Sequence, residues 1–487
     1  MTRLPGPKLD ARTAAGDRAA ARDPTAVRDR AAARDRAPAR ALIRRAAGLA
    51  LAAAVILGAS PPSLRPVPDS GSPAGIALAN SALPPITVYL DRLTVDFDVP
   101  PVISGDRALV PFRFLAEALG CTVHWSEADR RVTAVDTYNG RTVILFADRV
   151  EAFVDGQVHL LDVPARIIDG RTLIPLRFFS EALGALVEWH EATRTITVVS
   201  PRRPMTVLGY YALGGRDDSS WAELFGAPYP AVASGGTDVV SEIACSWFVL
   251  DPATGRLILD DDYYRQTRPA SWQDVLRQAS EHGLRAEMMV FKANADGDLD
   301  RFLADPAAMA RAVEEILAYA VDFAGVNLDL EYLGRRQAGE ELALTRQRFT
   351  GFVRLLGDAL HSRGKTLTLS LHPLNSWFPG YDWAALGEIA DRIVIMAYNY
   401  TTLKGPEPLD KVIEAVDLAL AVVPGEKLLL GLLMGRDGTY ETPESLVAKI
   451  GLAKRRRLAG IAVWRLGVVG PERLEVIRRA VSRPPAP

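Results

Sequence analysis

The sequence predicts an α/β protein whose C-terminal part is a (β/α)₈ barrel, preceded by a small duplicated α+β domain. From Met205 onward, apolar strand-like runs alternate with amphipathic helical stretches, which is typical of a parallel sheet with crossover helices. Between residues 80 and 200, one segment recurs at a fixed distance along the chain. The length of 487 residues suffices for two or three domains.

The N-terminal part differs in composition from the rest of the chain. Residues 1–45 repeat Ala, Arg and Asp with few large apolar side chains, so we expect disorder there. Arg44 and Arg45 then precede the apolar run 46–59, a pattern typical of a secretory signal, although an uncleaved anchor stays open. Residues 60–84 are rich in Pro, Ser and Gly and are interpreted as a linker. We therefore expect an exported protein that acts outside the cytoplasm, free, in the cell wall or anchored to the membrane.

The domain predicted for residues 85–200 contains two similar segments. Three pairs of matching residues are each 64 positions apart: Leu109 and Leu173, Gly120 and Gly184, and Trp125 and Trp189. One offset that holds at three points favours duplication over chance. Each unit predicts a strand that ends at a proline, a short helix that ends at the glycine, and a strand that carries the tryptophan.

This pattern resembles the copper amine oxidase N-terminal-like domain, also called a stalk domain, in two copies. The resemblance implies a spacer or wall-associating module rather than a catalyst. His124 and His190 each stand alone in the sequence, and a lone histidine is more often a surface residue than a ligand. We therefore expect no metal site in this domain.

Eight strands are predicted in the barrel region, residues 205–482. They are Val207–Tyr211, Val239–Phe248, Arg285–Phe291, Gly325–Glu331, Leu367–Leu371, Arg392–Tyr398, Lys427–Leu433 and Gly460–Leu466. Helical stretches such as Met309–Val321 and Leu342–Ser362 lie between them. In a (β/α)₈ barrel the active site lies at the carboxyl ends of the strands, so polar residues that end a strand are the candidates.

The fourth predicted strand carries an unusual set of polar residues. Side chains alternate between the two faces of a strand, so Asn327, Asp329 and Glu331 share one face. Two carboxylates and an amide inside a barrel are costly to bury, and this stretch contains no Lys or Arg to form an inward ion pair. The pattern therefore favours a catalytic role that includes general acid catalysis.

This strand, AGVNLDLE at residues 324–331, resembles the DGxDxDxE signature of glycoside hydrolase family 18, the chitinase-like enzymes. It is closer to the DGVNIDFE variants of spore-cortex and wall hydrolases. Ala324 and Asn327 replace the first two Asp residues of the signature. The resemblance implies that Glu331 protonates the glycosidic oxygen, while Asp329 orients the 2-acetamido group of the substrate, which acts as the nucleophile.

Other strand ends are similar to the same family. The run Met396-Ala397-Tyr398-Asn399 resembles the MxYD motif, which implies that Tyr398 hydrogen-bonds the acetamido carbonyl, with Asn399 in place of the usual Asp. Trp464 matches the aromatic floor beneath the sugar, and Tyr211 matches a cleft-lining tyrosine. The resemblance therefore implies catalytic roles for Glu331, Asp329 and Tyr398, and substrate binding by Asn327, Trp464, Tyr211, Met396 and Asn399.

The resemblance spans residues 205–480 and implies substrate-assisted, retaining hydrolysis of β-1,4 bonds next to N-acetylglucosamine. Peptidoglycan and chitin-like glycans are the expected partners. Only residues 435–459 separate the last two predicted strands, which leaves no room for the α+β insertion of many chitinases. An open cleft of this kind favours cross-linked peptidoglycan over chitin.

Three alternatives stay open. The barrel could bind glycans with weak or absent catalysis, because the departures at Ala324 and Asn399 affect the family motifs and a fold alone does not secure a function. The chain could also be a purely structural wall protein. An unrelated phosphate-binding barrel enzyme is disfavoured, because the sequence lacks a glycine-rich loop after strand seven or eight.

Composition excludes several other classes of function. A formal net charge of −2 gives no support to nucleic-acid binding, which requires a basic face or stripe. Cys121 and Cys245 fall in different predicted domains, so a disulfide framework is excluded. The six histidines are scattered without metal-ligand spacing, so we expect neither a metal nor a cofactor.

Overall fold

The computed structural model describes residues 84–211, 219–261, 263–264, 266–401, 405–435 and 440–484. The predicted disordered segment, the signal or anchor, and all of the predicted linker except residue 84 lie outside these ranges. Within them, no helix is long and apolar enough to span a membrane. All described residues belong to one compact unit of the chain, Gly58–Pro487.

Eight parallel strands form a closed barrel in the C-terminal part. They are β1 (Thr206–Tyr211), β2 (Glu242–Leu250), β3 (Arg285–Ala293), β4 (Gly325–Glu331), β5 (Thr366–Leu371), β6 (Arg392–Ile395), β7 (Leu428–Leu433) and β8 (Gly460–Trp464). Each strand pairs with its neighbour in chain order, and β1 pairs with both β2 and β8, which closes the sheet. The predicted barrel is therefore confirmed. The largest differences are that β2 begins at Glu242 and that β6 ends at Ile395, before the segment that contains Tyr398.

Helices surround the barrel, and every barrel strand is followed by at least one. They are Ser219–Phe225, Trp272–Glu281, Asp298–Phe302, Pro306–Tyr319, Gly339–His361, Trp383–Ile389, Leu409–Leu420, Pro443–Arg455 and Pro471–Ala480. The outward side chains of β4, Val326, Leu328 and Leu330, belong to the apolar core between strands and helices. Asn327, Asp329 and Glu331 consequently face the barrel interior, as strand alternation requires.

The N-terminal domain is built from three small sheets and two short helices within the described residues. One sheet contains Thr87–Leu90, Leu93–Thr94, Leu186–His190 and Thr195–Val199, and a second contains Val102–Ser104, Arg107–Pro111, Arg166–Ile168 and Arg171–Pro175. The third is an antiparallel sheet of Cys121–Ser126, Arg131–Asp136, Thr142–Phe146, Glu151–Val154 and Gln157–Leu160. The helices are Phe112–Ala118 and Leu176–Ala182.

The two repeated segments of this domain pair directly with each other. Leu109 lies opposite Pro175, Val110 opposite Ile174, and Pro111 opposite Leu173, in antiparallel register. Leu109 and its counterpart Leu173 thus occupy equivalent positions on the two paired strands, which are related by a local two-fold axis. Both helices end where the sequence predicts, since the following glycines, Gly120 and Gly184, have φ of +85° and +86°, which side chains with a Cβ rarely adopt.

A short connection joins the N-terminal domain to the barrel. Arg203 Nη1 lies 2.5 Å from Asp136 Oδ2, and Arg203 Nη2 donates to the carbonyl of Leu119 at 2.9 Å. The side chains of this ion pair are 4% and 0% exposed. Arg203–Pro204 also forms a parallel bridge with Val481–Ser482 after the last barrel helix. The connection is therefore fixed to both parts of the molecule.

Candidate active site

The carboxyl end of β4 places three polar side chains inside the barrel. Asn327, Asp329 and Glu331 are 0%, 1% and 1% exposed. The pairing of β4 with β3 continues as far as Glu331, which lies opposite Ala293. Because the barrel is closed, these side chains point into a space shared by all eight strands, and the expected alignment of the two acids with the amide is present.

A chain of hydrogen bonds connects Asn327 to three other strands of the barrel. The Tyr210 hydroxyl on β1 shares a 2.6 Å hydrogen bond with the Ser370 hydroxyl on β5, and Ser370 donates to Asn327 Oδ1 at 2.8 Å. The Asn327 amide group donates to Glu287 Oε2 on β3 at 3.4 Å. These contacts fix the orientation of the Asn327 side chain.

A buried ion pair inside the barrel lies nearer the amino ends of the strands than these hydrogen bonds do. It is formed by side chains of β2, β3 and β6. Arg392, the first residue of β6, lies 2.6 Å from Glu287 Oε1 and 2.5 Å from Glu242 Oε2. Burial raises the pKa of Glu287, an effect that Arg392 opposes and Glu242 reinforces. Arg392 therefore compensates the carboxylates at the amino ends of the strands, away from Asp329 and Glu331 at the carboxyl ends.

His372 lies in the candidate site in addition to the residues predicted from the sequence. Its Nε2 lies 3.8 Å from Glu331 Oε2, and its ring stacks on Tyr332 with a centroid distance of 5.4 Å. Phe378 packs on the same imidazole at 4.3 Å. His372 directly follows β5, so the rule of examining polar residues at strand ends could have found it.

Aromatic and other apolar side chains from β1, from β8 and from the segment after β6 line the same interior. Tyr210, Met396, Tyr398 and Trp464 belong to one apolar cluster inside the barrel, and the rings of Tyr210 and Trp464 are 5.2 Å apart. The structure thus brings three of the proposed substrate-facing residues together with Tyr210. Tyr398 lies just beyond the end of β6.

Tyr211 lies elsewhere, so the sequence-based assignment of this residue to the cleft needs correction. Its ring packs edge-to-face on Trp247 at 5.9 Å, in the layer between strands and helices. Neighbouring residues of a strand face opposite sides, and β1 directs Tyr210 inward. Tyr210 is therefore the tyrosine of β1 that lines the interior.

Asn399 also differs from a simple strand-end residue. It is partly buried and has φ of +64°, and its backbone N–H donates to Glu407 Oε1 at 2.8 Å. The chain therefore turns sharply directly after Tyr398.

The electrostatic environment of the interior is dominated by burial and by the acids of β4. Burial raises the pKa of Tyr210, and the charge of Asp329 raises it further. Burial likewise raises the pKa of Tyr381 well above its usual value, an effect that a hydrogen bond from Leu333 opposes and the charge of Glu331 reinforces. Tyr381 donates to the carbonyl of Leu330 at 2.9 Å and so supports the backbone next to Glu331.

The described residues contain no group of three or more His, Cys, Asp or Glu side chains arranged to hold a metal ion. Both cysteines, Cys121 and Cys245, are buried and unpaired. Burial raises the pKa of the Cys121 thiol to about 12.

Comparison with known proteins identifies the N-terminal domain. Residues 89–198 match the copper amine oxidase N-terminal domain. A single match spans both repeated segments, so two complete copies of the domain remain a prediction. The matched residues include strands of all three sheets described above.

The chain is also similar to two curated proteins of Bacillus subtilis (strain 168). A putative sporulation-specific glycosylase, YdhD, is 30% identical over 28% of this chain and 33% of the relative. A cortical fragment-lytic enzyme is 24% identical over 35% of this chain and 53% of the relative. The chain thus spans a third of the length of the first relative and about half of the second.

The chain also matches solved structures named as chitinases and spore cortex-lytic enzymes, with TM-scores of 0.45 to 0.47. A class V chitinase from Pseudomonas fluorescens Pf-5 superimposes with a TM-score of 0.46 at 22% identity, covering 56% of this chain and 99% of that chain.

Proposed function

We propose that this chain is a glycoside hydrolase that cleaves β-1,4 bonds next to N-acetylglucosamine by substrate-assisted, retaining catalysis. The observation that carries the proposal is the inward alignment of Asn327, Asp329 and Glu331 at the carboxyl end of β4. This is the end of a (β/α)₈ barrel at which active sites lie. The names of the two curated relatives, a glycosylase and a cortical fragment-lytic enzyme, support the same class of reaction.

Glu331 is the proposed proton donor. In the first step the acetamido carbonyl oxygen of the substrate attacks the anomeric carbon, and the bond to the leaving oxygen breaks as Glu331 protonates that oxygen. In the second step water attacks the cyclic intermediate and Glu331 takes up its proton, so that the configuration is retained. The 3.8 Å approach of His372 Nε2 to Glu331 Oε2 makes His372 part of the environment of this acid.

The remaining groups orient the substrate. Asp329 holds the N–H of the acetamido group, and the Tyr398 hydroxyl donates to its carbonyl. Trp464 provides an apolar surface for the sugar ring, and its contact with Tyr210 connects it to the hydrogen-bonded chain that ends at Asn327. Met396 belongs to the same apolar cluster and lines the sugar site.

Peptidoglycan is the proposed substrate ahead of chitin. Between β7 and β8 the structure contains the helix Pro443–Arg455 and short connections, so no additional domain walls the cleft within the described residues of this stretch. An open cleft accommodates peptide stems and cross-links. We also propose export directed by the segment before residue 60, with the N-terminal domain associating with the cell wall.

The decisive experiment is the Glu331→Gln variant assayed on purified peptidoglycan and on chitin oligomers. We expect turnover to fall by about 10²–10⁴, because general acid catalysis contributes that much, while the melting temperature changes little. Asp329→Asn and Tyr398→Phe are expected to lower turnover as well, and a thiazoline mimic of the cyclic intermediate should inhibit the parent.

Four results contradict parts of this proposal. A Glu331→Gln variant that cleaves as fast as the parent excludes Glu331 as the acid. Equal turnover of a substrate that lacks the N-acetyl group excludes substrate assistance. Release of chitobiose from insoluble chitin without muropeptides from cell wall reverses the substrate ranking, and binding without any cleavage supports a glycan-binding protein instead.

A further inference from the structure

The segment that carries Tyr398 leaves the regular sheet before it reaches that residue. β6 ends at Ile395, and beyond it the N–H of Ala397 donates to the carbonyl of Ile395 at 2.8 Å. The N–H of Tyr398 donates to the carbonyl of Met396, also at 2.8 Å. Bonds between residues two apart form three-residue turns, so the strand ladder does not set the direction of the Tyr398 side chain.

A buried carboxylate holds the turn that follows. Glu407 Oε1 accepts a 2.8 Å hydrogen bond from the N–H of Asn399, and Oε2 accepts a 3.0 Å hydrogen bond from the N–H of Tyr400. Glu407 is 4% exposed. Asn399, at φ of +64°, adopts the left-handed conformation that Asn tolerates better than most residues. Both oxygens of one side chain therefore fix two consecutive backbone amides.

The surroundings of Glu407 are charged and buried. Burial raises the pKa of Glu407, whereas its two backbone hydrogen bonds and Lys449 lower it, and Glu441 raises it. Lys449 is itself hydrogen-bonded to Glu441, and both side chains are nearly fully buried. An ionised Glu407 offers acceptors on both oxygens, which a neutral amide in its place cannot do.

The other side of the turn is equally confined. A Cβ added at Gly431 on β7 would lie 3.2 Å from Tyr398 Cε1, so the Tyr398 ring lies close over this glycine. The Tyr400 hydroxyl donates to Asn375 Oδ1 at 2.8 Å, which connects the turn to the segment after β5. Tyr398 therefore lies between the close contact with Gly431 and the turn whose two backbone amides Glu407 holds.

We propose that Glu407 is a positioning residue, which holds the left-handed turn at Asn399 and thereby aims the Tyr398 hydroxyl at the acetamido group of the substrate. This inference rests on the proposed function, since it assigns the task for which Tyr398 is aimed. Glu407 itself contacts backbone amides and acts through Tyr398.

Glu407→Gln tests this inference, with Glu388→Gln as the control, because Glu388 is an exposed carboxylate on the helix Trp383–Ile389. A Gln side chain places an amide N–H₂ against a backbone N–H and loses one acceptor. We expect kcat to fall by about 10- to 100-fold with KM nearly unchanged, because an ångström of misplacement can cost about 10²-fold in rate. Hydrogen exchange of residues 396–401 should accelerate, while exchange of β4 should stay as in the parent.

Glu407→Asp keeps the charge with a shorter reach and is expected to give intermediate values in both measurements. If the Glu407→Gln variant does not fold, the kcat and the hydrogen exchange of Glu407→Asp test the positioning role in its place. A Glu407→Gln variant with the kcat of the control, or with unchanged exchange of residues 396–401, overturns the positioning role and leaves the proposed function standing. A parent chain that cleaves no N-acetylated glycan overturns the proposed function, and with it the task given to Tyr398.

Discussion

At the residue scale, hydrogen-bonded side chains from different strands hold the interior of the barrel in one arrangement. Tyr210, Ser370 and Asn327 come from three strands, and each gains a partner that burial would otherwise deny it. A buried polar group without a hydrogen bond costs about 1–3 kcal/mol. This chain of hydrogen bonds therefore stabilises the barrel and orients the side-chain amide of Asn327, two residues before Asp329.

Tyr210→Phe tests the role of these hydrogen bonds. The change removes one hydroxyl and leaves Ser370 without its partner on β1, so we expect a loss of about 1 kcal/mol in the free energy of unfolding. Turnover should fall because Asn327 is less firmly oriented beside Asp329. Denaturant unfolding and glycan hydrolysis measure the two effects.

Tyr211→Phe is the matched comparison, because Tyr211 faces Trp247 outside the barrel interior. We expect its effect on turnover to be clearly smaller than that of Tyr210→Phe. An equal or larger loss in the Tyr211 variant contradicts the assignment of Tyr210 to the site.

At the element scale, the strand-like connection that contains Arg203 determines how the N-terminal domain is attached. The Arg203–Asp136 ion pair is nearly fully buried, and Arg203 also donates to the Leu119 carbonyl directly after the first helix. The ring of Tyr138 packs under the Arg203 guanidinium at 4.6 Å. A single side chain thus joins the connection, the helix end and the five-stranded sheet.

Arg203→Met should destabilise the N-terminal domain by about 3–5 kcal/mol, because it leaves the Asp136 carboxylate buried without its partner. The double variant Arg203→Met with Asp136→Leu should recover much of this loss, since a buried apolar pair can replace a buried ion pair. Thermal unfolding of the parent, both single variants and the double variant forms a complete cycle. If a single variant is as stable as the parent, the ion pair contributes nothing to the free energy of unfolding.

At the scale of the whole molecule, one barrel helix contacts the N-terminal domain and the connection that follows it. Arg455, at the end of the helix Pro443–Arg455, donates to the carbonyls of Leu90 and Thr94 at 3.2 Å each. The preceding Lys454 is 8% exposed and donates to Ser200 Oγ at 3.0 Å and to the Pro201 carbonyl at 3.2 Å. The two parts are therefore packed together through specific polar contacts.

Lys454 gives this contact a pH dependence. Burial lowers the pKa of Lys454 from 10.5 to about 8, an effect that Asp91 opposes and Arg203 reinforces. Between pH 8 and 10.5 the unfolded chain binds more protons at this position than the folded chain, so stability rises with pH in this window.

Lys454→Met removes the titrating group. The free energy of unfolding of the parent, minus that of the variant, should be flat below pH 8 and should increase up to about pH 10.5. Denaturant unfolding of both proteins across this range measures the difference. A difference that stays constant or falls with pH shows that Lys454 is not buried as described.

The order of the eight strands, the 64-residue spacing of the repeated segments and the common face of Asn327, Asp329 and Glu331 could all be predicted from the amino-acid sequence. These features follow from local rules, because covalent geometry fixes the alternation of side chains along a strand and glycine permits the left-handed ends of short helices. Each of these features can therefore be recognised from the residue types and their spacing along the chain.

Three other features required the folded structure: that Tyr210 rather than Tyr211 faces the interior, that Arg392 meets Glu287 across 105 positions of sequence, and that Glu407 bonds the turn after Tyr398. The approach of His372 to Glu331 belongs to the same group. Each of these depends on the register and closure of the barrel. Contacts between distant segments arise when the whole sheet closes, and no local pattern of residue types specifies which side chains then meet.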